Sequence, residues 1–313
     1  MRALLIVNPH ATTTTARARD VLVSALGDVI KVDVALTESR HHASEIAATA
    51  VAEGREAVIA FGGDGTINEI VNGLLGEGTT PQADLPVVGV VPGGSSNVFA
   101  RALGFPDDPV EATGALLESL RGEAIRTIGL GRADERWFTF TAGIGLDAGA
   151  VERVEKARSK GRPVTDALYV RSAVAQYLFA TKHREQPVTA KLPDGEVLHL
   201  AHALVNNTTP WTYLGRREVV LTPNTTFETG LGLFGLAKLP MFATMRAVSQ
   251  LLREQAPHTK LATIREDLSE VKLSADEELP FQVDGDAVDR RSGATVRSHP
   301  NALRVFAPVP PTD

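Results

Sequence analysis

The feature that most constrains the fold is a regular alternation in the first third of the chain. Short apolar runs, which suit buried strands, alternate there with stretches that have the spacing of amphipathic helices. The strand candidates are residues 3–7, 29–37, 57–61 and 86–92, and the helix candidates are residues 16–27, 41–54 and 67–75. Strands and helices in this order are typical of a parallel sheet with helices on both faces. We therefore expect an α/β domain with a doubly wound parallel sheet at the N-terminus.

After about residue 128 the pattern changes to alternating, β-rich segments joined by turn signals such as Pro193-Asp194-Gly195. Helical stretches at 149–183 and 240–256 interrupt this pattern, and the apolar run near residues 302–309 resembles a last strand that returns to the first domain. These changes predict two domains, one at residues 1–128 with about 300–313, and a mainly β domain at residues 129–299.

Composition excludes several classes of function. The chain has 32 Lys and Arg against 38 Asp and Glu, so its net charge of −6 gives no global support to a nucleic-acid partner. It has no cysteine, which excludes disulfides, cysteine-ligated zinc and a thiol nucleophile. No apolar run approaches the roughly 20 residues that span a bilayer, so we expect no transmembrane segment and any membrane contact to come from the surface.

The segment Gly62-Gly63-Asp64-Gly65-Thr66 lies between a strand candidate and a helix candidate. Glycines let backbone approach a ligand, and the N–H groups of a helix's first turn attract anions, usually phosphate. Thr66 would cap the helix or bond a phosphate oxygen. A carboxylate repels phosphate, so Asp64 would either reach the phosphates through a metal ion or order the loop. The alternative for the whole segment is a plain strand-to-helix turn.

Two further polar turns make the plain-turn alternative weaker. Gly93-Gly94-Ser95-Ser96-Asn97 follows the strand candidate at 86–92, and Asn8-Pro9-His10 follows the first strand candidate. Ligands of open parallel sheets bind at the carboxyl ends of the strands, where all three turns fall. We therefore expect a phosphorylated ligand there. The turns contain neither the lysine of a P-loop nor the Gly-x-Gly-x-x-Gly of a dinucleotide site.

Four motifs in this order resemble one known family. They are Asn8-Pro9; Gly62-Gly63-Asp64-Gly65-Thr66 with Asn68-Glu69; Pro92-x-Gly94-Ser95-Ser96-Asn97-x-Phe99-Ala100-Arg101; and Val283-Asp284-Gly285-Asp286. Together they resemble the diacylglycerol kinase catalytic domain, which bacterial soluble lipid kinases share with eukaryotic diacylglycerol, sphingosine and ceramide kinases. NAD kinases share the Gly-Gly-Asp-Gly-Thr block alone, so an NAD kinase is the second enzyme hypothesis.

The resemblance implies an ATP-binding α/β domain and a β-sandwich domain that holds the lipid. It also implies transfer of the γ-phosphoryl group from ATP, with Mg²⁺, to a lipid hydroxyl, most simply diacylglycerol to phosphatidate. The cofactor-binding residues implied in this way are Asn8, Pro9, His10, Thr37, Gly62, Gly63, Asp64, Gly65, Thr66, Asn68, Glu69, Gly94, Ser95, Ser96 and Asn97. Thr37 has an equally good alternative as the cap of the helix at 41–54.

The catalytic residues implied by the resemblance are Asp64, Asp284 and Asp286. Phosphoryl transfer needs a base that accepts the hydroxyl proton, and the family's Asp-Gly-Glu supplies it. Asp284 matches the aspartate of that motif, whereas Asp286 replaces the glutamate with a side chain one methylene shorter. Without the other motifs, Asp284-Gly285-Asp286 would be interpreted as an ordinary β-turn.

One stretch departs from the family's pattern. The family often holds a structural magnesium with Asp-Asp-Gly-x-Leu-Asp in its second domain, and the corresponding stretch here is Pro223-Asn224-Thr225-Thr226-Phe227-Glu228-Thr229-Gly230-Leu231-Gly232-Leu233. Thr229 stands where an aspartate is expected, and Glu228 alone is charged. Magnesium prefers carboxylate and water oxygens, so we expect this site to be weakened, shifted or lost. The change also motivates a non-enzyme hypothesis, a nucleotide- or lipid-binding pseudokinase.

The resemblance implies a cytoplasmic protein that meets its lipid at the inner face of the plasma membrane. The basic stretch 151–163 would favour an anionic surface, or it is a solvated helix face with ion pairs. The oligomeric state stays open, a homodimer included.

Overall fold

The computed structural model describes residues 1–145, 187–236 and 262–308. The chain divides into two compact units, which we call unit 1 (residues 1–129 and the chain from residue 301) and unit 2 (residues 130–300). The predicted helical stretches at 149–183 and 240–256, and the basic stretch 151–163, lie outside the described residues.

Unit 1 contains a parallel sheet in the order β4-β3-β1-β2. Its strands are β1 (Arg2–Val7), β2 (Lys31–Leu36), β3 (Ala57–Gly62) and β4 (Val87–Pro92). Its helices are α1 (Ala16–Gly27), α2 (His42–Ala52), α3 (Asp64–Leu75), α4 (Val98–Ala102) and α5 (Pro109–Arg121), with a 3₁₀ turn at Gln82–Asp84. The prediction of a parallel α/β domain is confirmed.

Burial explains why these segments form this sheet. Strands β3 and β4 are buried along their whole length, as is β1 after its first residue, because apolar side chains on both faces are covered by helices. Strand β2 is at the edge and is largely exposed. Helix α2 packs on α3 and helix α1 on α5. None of the helices in the described ranges is long and apolar enough to cross a bilayer.

Helix α5 was not predicted from the sequence. Its start carries a standard signal, since Asp108 Oδ1 accepts hydrogen bonds from the N–H groups of Val110 (2.9 Å) and Glu111 (3.1 Å), and Pro109 occupies the first turn. This combination of a capping aspartate and an N-terminal proline would have located the helix.

Unit 2 is strand-rich, as expected, and its strands pair mostly in antiparallel fashion. Its strands are β5 (Ile125–Ala133), β6 (Arg136–Phe138), β7 (Thr141–Ile144), β8 (Val188–Lys191), β9 (Val197–Leu200), β10 (His202–Asn206), β11 (Thr212–Leu214), β12 (Arg217–Val219), β13 (Leu231–Leu236), β14 (Ala262–Leu268), β15 (Glu270–Val283) and β16 (Asp286–Phe306), of which β5 begins in unit 1 and β16 ends there. Strands β14, β13, β10, β7 and β15 lie side by side in that order. A core of aliphatic side chains with Phe138 and Phe281 fills this unit.

The end of the chain rejoins the first sheet, as predicted. Val305, in the last part of β16, pairs in parallel with Val88 of β4, and both residues belong to unit 1. The backbone N–H of Ala307 then donates to the carbonyl of Ala124, 3.2 Å away, and its carbonyl accepts from the Ser119 hydroxyl. These contacts fix the C-terminal segment on unit 1.

Candidate functional site

The polar turns predicted to bind a ligand follow β1, β3 and β4 at the carboxyl edge of the unit 1 sheet. Backbone hydrogen bonds tie them together. The N–H of Asn8 donates to the carbonyl of Phe61 (3.0 Å), that of Gly93 to Gly62 (2.8 Å) and that of Thr13 to Gly93 (3.0 Å). We call the segments 62–66 and 93–97 the first and second glycine loops. The three turns therefore form one connected surface.

Gly93 and Gly94 are required because the second glycine loop packs directly against the backbone of the first. A Cβ atom added to Gly94 would lie 2.8 Å from the Cα atom of Gly63, and one added to Gly93 would lie 2.9 Å from the Cα atom of Gly62. Real Cβ atoms do not approach backbone so closely. Any side chain at Gly93 or Gly94 would therefore push the two glycine loops apart.

Asp64 holds the second glycine loop. Its Oδ2 accepts a hydrogen bond from the N–H of Val98 and its Oδ1 one from the N–H of Phe99, each at 3.0 Å. These two amides begin α4, and such first-turn N–H groups have no partner inside their own helix. Of the two roles weighed for Asp64, ordering the loop is the one that its contacts display.

Asn8 links the first turn to the start of α3. Its Nδ2 donates to Thr66 Oγ1 (2.9 Å), and its Oδ1 accepts from the N–H of His10 (2.9 Å). Thr66 is buried, whereas Pro9 and His10 are exposed. Thr37 follows β2, is buried, and donates its N–H to the carbonyl of Val7 at 2.9 Å. Asn8, Thr37 and Thr66 are thus fixed at the same edge of the sheet.

Asn68 and Glu69 serve the scaffold of unit 1. Glu69 Oε1 accepts from the N–H of His41 (2.9 Å) and Oε2 from that of Ala43 (3.3 Å), which satisfies the start of α2. No side chain at the N-cap position of α2 does so. Asn68 is almost fully buried, and its backbone carbonyl accepts from Asn72 Nδ2 at 2.8 Å. Contact of either side chain with a nucleotide stays a prediction.

The second glycine loop is closed by Asn97, which has a left-handed backbone with φ of 49°. Its Oδ1 accepts from the N–H of Gly94 (2.8 Å), and its Nδ2 donates to the carbonyl of Gly94 (3.1 Å) and to Asp107 Oδ1 (2.9 Å). Ser95 is exposed and Ser96 is half-buried. Contact of these two hydroxyls with a ligand stays a prediction.

The motif Val283-Asp284-Gly285-Asp286 forms a tight turn in unit 2. Val283 pairs with Asp286 across β15 and β16, while Asp284 and Gly285 between them have φ of 48° and 79°. Two positive φ values are the mark of the tight hairpin turn for which Asp-Gly is favoured. Asp286 is half-buried at the first position of β16. The β-turn alternative is thus correct as a description of the backbone.

Asp284 is only 4% exposed and accepts four hydrogen bonds. Thr139 donates both its N–H (2.7 Å) and its hydroxyl (2.9 Å) to Oδ2, and the N–H groups of Phe140 (2.9 Å) and Thr141 (3.0 Å) donate to Oδ1. Burial raises the pKa of the Asp284 carboxyl, and these hydrogen bonds act in the opposite direction. The carboxylate therefore fastens the segment 139–141 to the turn.

A metal-binding role for Glu228 stays a prediction. Glu228 is exposed, and no group of three or more His, Cys, Asp or Glu side chains within residues 1–145, 187–236 and 262–308 is arranged to hold a metal ion. The loop that contains it is closed by hydrogen bonds instead. Thr229 Oγ1 accepts from the N–H of Thr226 (2.9 Å), and the N–H of Gly230 donates to Asp267 Oδ1 (2.9 Å).

Sequence reasoning missed the partners that hold the site together. Asp64 and Phe99 are 35 residues apart, and Asp284 and Thr139 are 145 residues apart. The motifs signal which side chains matter, but no local pattern indicates where such distant amides will lie.

Comparisons with known proteins agree with this geometry. The family model for the diacylglycerol kinase catalytic domain matches residues 2–133. Over 297 residues the chain is 28% identical to a diacylglycerol kinase of Bacillus subtilis, covering 91% of this chain and 89% of the relative. A diacylglycerol kinase of Staphylococcus carnosus is 25% identical over 296 residues, which are 91% of this chain and 88% of the relative.

Among solved structures, a diacylglycerol kinase from Bacillus anthracis has the same fold, with a TM-score of 0.70 at 19% identity. The match covers 98% of this chain and 96% of that one. The family model matches the segment that contains the two glycine loops and the Asn8 turn. Residues 2–133 of the chain thus match the model of the diacylglycerol kinase catalytic-domain family.

Proposed function

We propose that the protein is an ATP-dependent lipid kinase that transfers the γ-phosphoryl group to a lipid hydroxyl, with diacylglycerol as acceptor and phosphatidate as product. One observation carries the proposal, namely that three polar turns at the carboxyl edge of the unit 1 sheet are tied into a single surface. This edge is where open α/β sheets bind nucleotides. The names of the relatives support a lipid as the acceptor.

The residues of unit 1 suit the phosphates of ATP. The first turn of α3 offers N–H groups and partial positive charge, and Gly63 at its N-cap leaves no side chain over them. The Ser95 and Ser96 hydroxyls add donors from the second glycine loop. Asp64 would not repel the phosphates strongly, since its charge is engaged by the amides of Val98 and Phe99.

Magnesium is proposed to enter with the nucleotide. Within the described ranges no cluster of metal-ligating side chains would hold the ion by itself, and magnesium in kinases is commonly bound by substrate phosphates and water. When bound, it neutralises charge on the transferred phosphoryl group. The chain's own part is to orient the phosphates and to provide a base.

The base is proposed to come from the turn at Asp284–Asp286. Each oxygen of Asp284 already accepts two hydrogen bonds, so Asp284 would have to release one of them before it took a proton. Asp286 adjoins that fixed turn and is half-buried. We therefore assign proton acceptance to Asp286 and the positioning of the turn to Asp284.

The experiment that tests the function is transfer of labelled γ-phosphate from ATP and magnesium into separate lipids. The panel contains diacylglycerol, monoacylglycerol, ceramide and sphingosine in mixed micelles, with NAD in a parallel reaction. We expect label in diacylglycerol. Label in another lipid alone would keep the kinase and change its acceptor, whereas label in NAD alone would overturn the lipid assignment. Label in none of them would contradict the proposal.

A further inference from the structure

The stretch Pro223–Leu233 aligns with a metal-binding segment in the resemblance, yet its residue Gly232 has no room for a side chain. In that alignment the last aspartate of the motif falls at Leu233, which is buried in the core of unit 2, and Gly232 before it has no side chain. A Cβ atom added there would lie 2.2 Å from Thr225 Oγ1 and 2.8 Å from Thr222 Oγ1. Two threonine hydroxyls thus fill the space that a side chain at this position would occupy. A neutral hydroxyl is a weak ligand for magnesium compared with a carboxylate.

Carboxylates near the loop are engaged by N–H donors. Glu266 Oε1 accepts from the N–H of Asn224 (2.7 Å), and Glu266 Oε2 accepts from Asn224 Nδ2 (2.8 Å). Asp267 Oδ1 accepts from the N–H of Gly230. Between Asn224 and Gly230, Thr229 Oγ1 closes the turn by its hydrogen bonds to the N–H and carbonyl of Thr226. Both ends of the loop 223–230 are thereby fastened to β14 by hydrogen bonds.

A chain of neutral side chains leads from this loop to Asp284. Asn206 of β10 lies across from Gly232 on one side and from Thr141 on the other. Its Nδ2 donates to Thr222 Oγ1 (3.1 Å), and its Oδ1 accepts from Thr141 Oγ1 (2.9 Å). Thr141 in turn donates its N–H to Asp284 Oδ1, and its carbonyl accepts from the N–H of Asp284 at 2.8 Å.

The members of this chain are deeply buried. Asn206 is 0% exposed, and Thr141 and Thr222 are each 1% exposed. A buried polar group without a partner costs about 1–3 kcal/mol, so a buried chain in which each member bonds the next has one favoured arrangement. The hydroxyl of Thr141 donates to Asn206 Oδ1. This bond fixes Thr141, whose backbone N–H and carbonyl both bond Asp284.

We propose that loop 223–230 is closed without a metal ion, and that the chain Thr222–Asn206–Thr141 makes Asn206 and Thr141 positioning residues for the Asp284 turn. The closure of the loop is independent of the activity, whereas the positioning role rests on the proposed function. Hydrogen bonds between neutral side chains thus connect loop 223–230 with the Asp284 turn.

The metal-free closure is tested on the whole chain without nucleotide or lipid. Thermal unfolding is compared in millimolar magnesium chloride and in EDTA at matched ionic strength, and binding of Mn²⁺ is followed by electron paramagnetic resonance. We expect the same Tm in both solutions and no stoichiometric Mn²⁺ site. A Tm that rises by several degrees with magnesium, or one bound Mn²⁺ per chain, would overturn the closure.

The positioning role is tested with Thr141→Val, which keeps the shape but removes the hydroxyl, and with Thr141→Ser, which keeps the hydroxyl. Thr189→Val, on β8 of the same unit, is the matched control for the substitution. For phosphate transfer to diacylglycerol we expect Thr141→Val to lower kcat by about tenfold to a hundredfold, with the KM for ATP unchanged. Thr141→Ser should restore kcat, and Thr189→Val should leave it as in the wild type.

An unchanged kcat in Thr141→Val would overturn the positioning role, as would a Thr141→Ser variant no more active than Thr141→Val. If the wild-type chain transfers phosphate to no lipid, the proposed function fails. The magnesium and Mn²⁺ measurements still decide in that case whether the loop is closed without metal.

Discussion

At the scale of single residues, three carboxylates of the sequence motifs accept hydrogen bonds from backbone N–H groups. Asp64 binds the first amides of α4, Glu69 those of α2, and Asp284 those of the segment 139–141. A carboxylate has several acceptor sites, so it can hold two segments of chain in a fixed relation. The motifs that signal phosphoryl transfer therefore also specify how the loops are held.

Asp64→Ala tests this role in unit 1. The change leaves the N–H groups of Val98 and Phe99 without their acceptor, and we expect the free energy of unfolding to fall by about 1–3 kcal/mol. Because the second glycine loop is no longer held, ATP binding should weaken by about tenfold or more. Chemical denaturation and calorimetric titration with ATP measure the two effects.

Asp108→Ala is the matched control for that variant. Asp108 also holds two N–H groups, at the exposed start of α5, so its loss should lower stability by about 1 kcal/mol. ATP binding should stay as in the wild type. Equal loss of ATP affinity in both variants would show that general destabilisation, and not the loop, explains the effect of Asp64→Ala.

Asp284→Asn and Asp286→Asn separate the two roles in the hairpin turn. An amide NH₂ at residue 284 would face N–H donors, so we expect Asp284→Asn to lower the free energy of unfolding by about 1–3 kcal/mol or more. Asp286→Asn should keep wild-type stability and lower kcat by about 10²–10⁴-fold, the usual contribution of a general base. Urea denaturation and steady-state kinetics distinguish them. Wild-type kcat in Asp286→Asn would remove Asp286 as the base.

At the scale of elements, glycines set how closely neighbouring segments approach. Gly73 of α3 faces the backbone of α2, and a Cβ atom added there would lie 2.1 Å from the carbonyl oxygen of Ser44. The close approach of α2 and α3 therefore requires a residue without a side chain at position 73. The glycine loops use the same device where Gly63 meets Gly94.

Gly73→Ala should force α2 and α3 apart and lower the free energy of unfolding by about 1–3 kcal/mol, the usual effect of overpacking. Gly114→Ala, in α5, is the control, because no atom outside the helix's own backbone lies within 4 Å of the added methyl group. There alanine should stabilise the chain by up to about 1 kcal/mol through its helix propensity. A neutral Gly73→Ala in the same denaturation experiment would show that the contact with Ser44 is easily relieved.

The sequence was sufficient for the elements of unit 1 whose periodicity is strong. Strands β1 and β3 and helix α1 lie where the apolar patterns placed them, since each buries one complete run or face. Helix α4 is only five residues long, because a left-handed Asn97 precedes it and Leu103 and Gly104 end it. Its length depends on Asp64 and Asn97 together, so no pattern within residues 97–104 could fix it.

The candidate site was predictable only in part. Polar turns at strand ends identified the Asn8 turn and the two glycine loops, because these follow from residue type and position. The Asp284 turn was identified by the resemblance. The bonds of Asp64, Glu69 and Asp284 could not be predicted, since each partner lies at least 26 residues away in the chain. The network through Asn206 was missed for the same reason, although buried Asn and Thr in strands are an unusual composition.

At the scale of the whole molecule, the chain is acidic, with a net charge of −6, and divides into two compact units. Each unit has its own network of polar groups, the glycine loops in unit 1 and the buried Asp284 network in unit 2. The proposal assigns the nucleotide to unit 1 and the base to unit 2. Its central claim is that one phosphoryl group passes from ATP to the hydroxyl of a lipid.

The most direct test of that claim is the stoichiometry of the reaction. ADP and phosphatidate are quantified together during turnover of the whole chain with diacylglycerol, ATP and magnesium, and again after addition of EDTA. The account predicts equal amounts of the two products with magnesium and neither with EDTA. ADP that forms without phosphatidate, or no turnover with magnesium present, would contradict it.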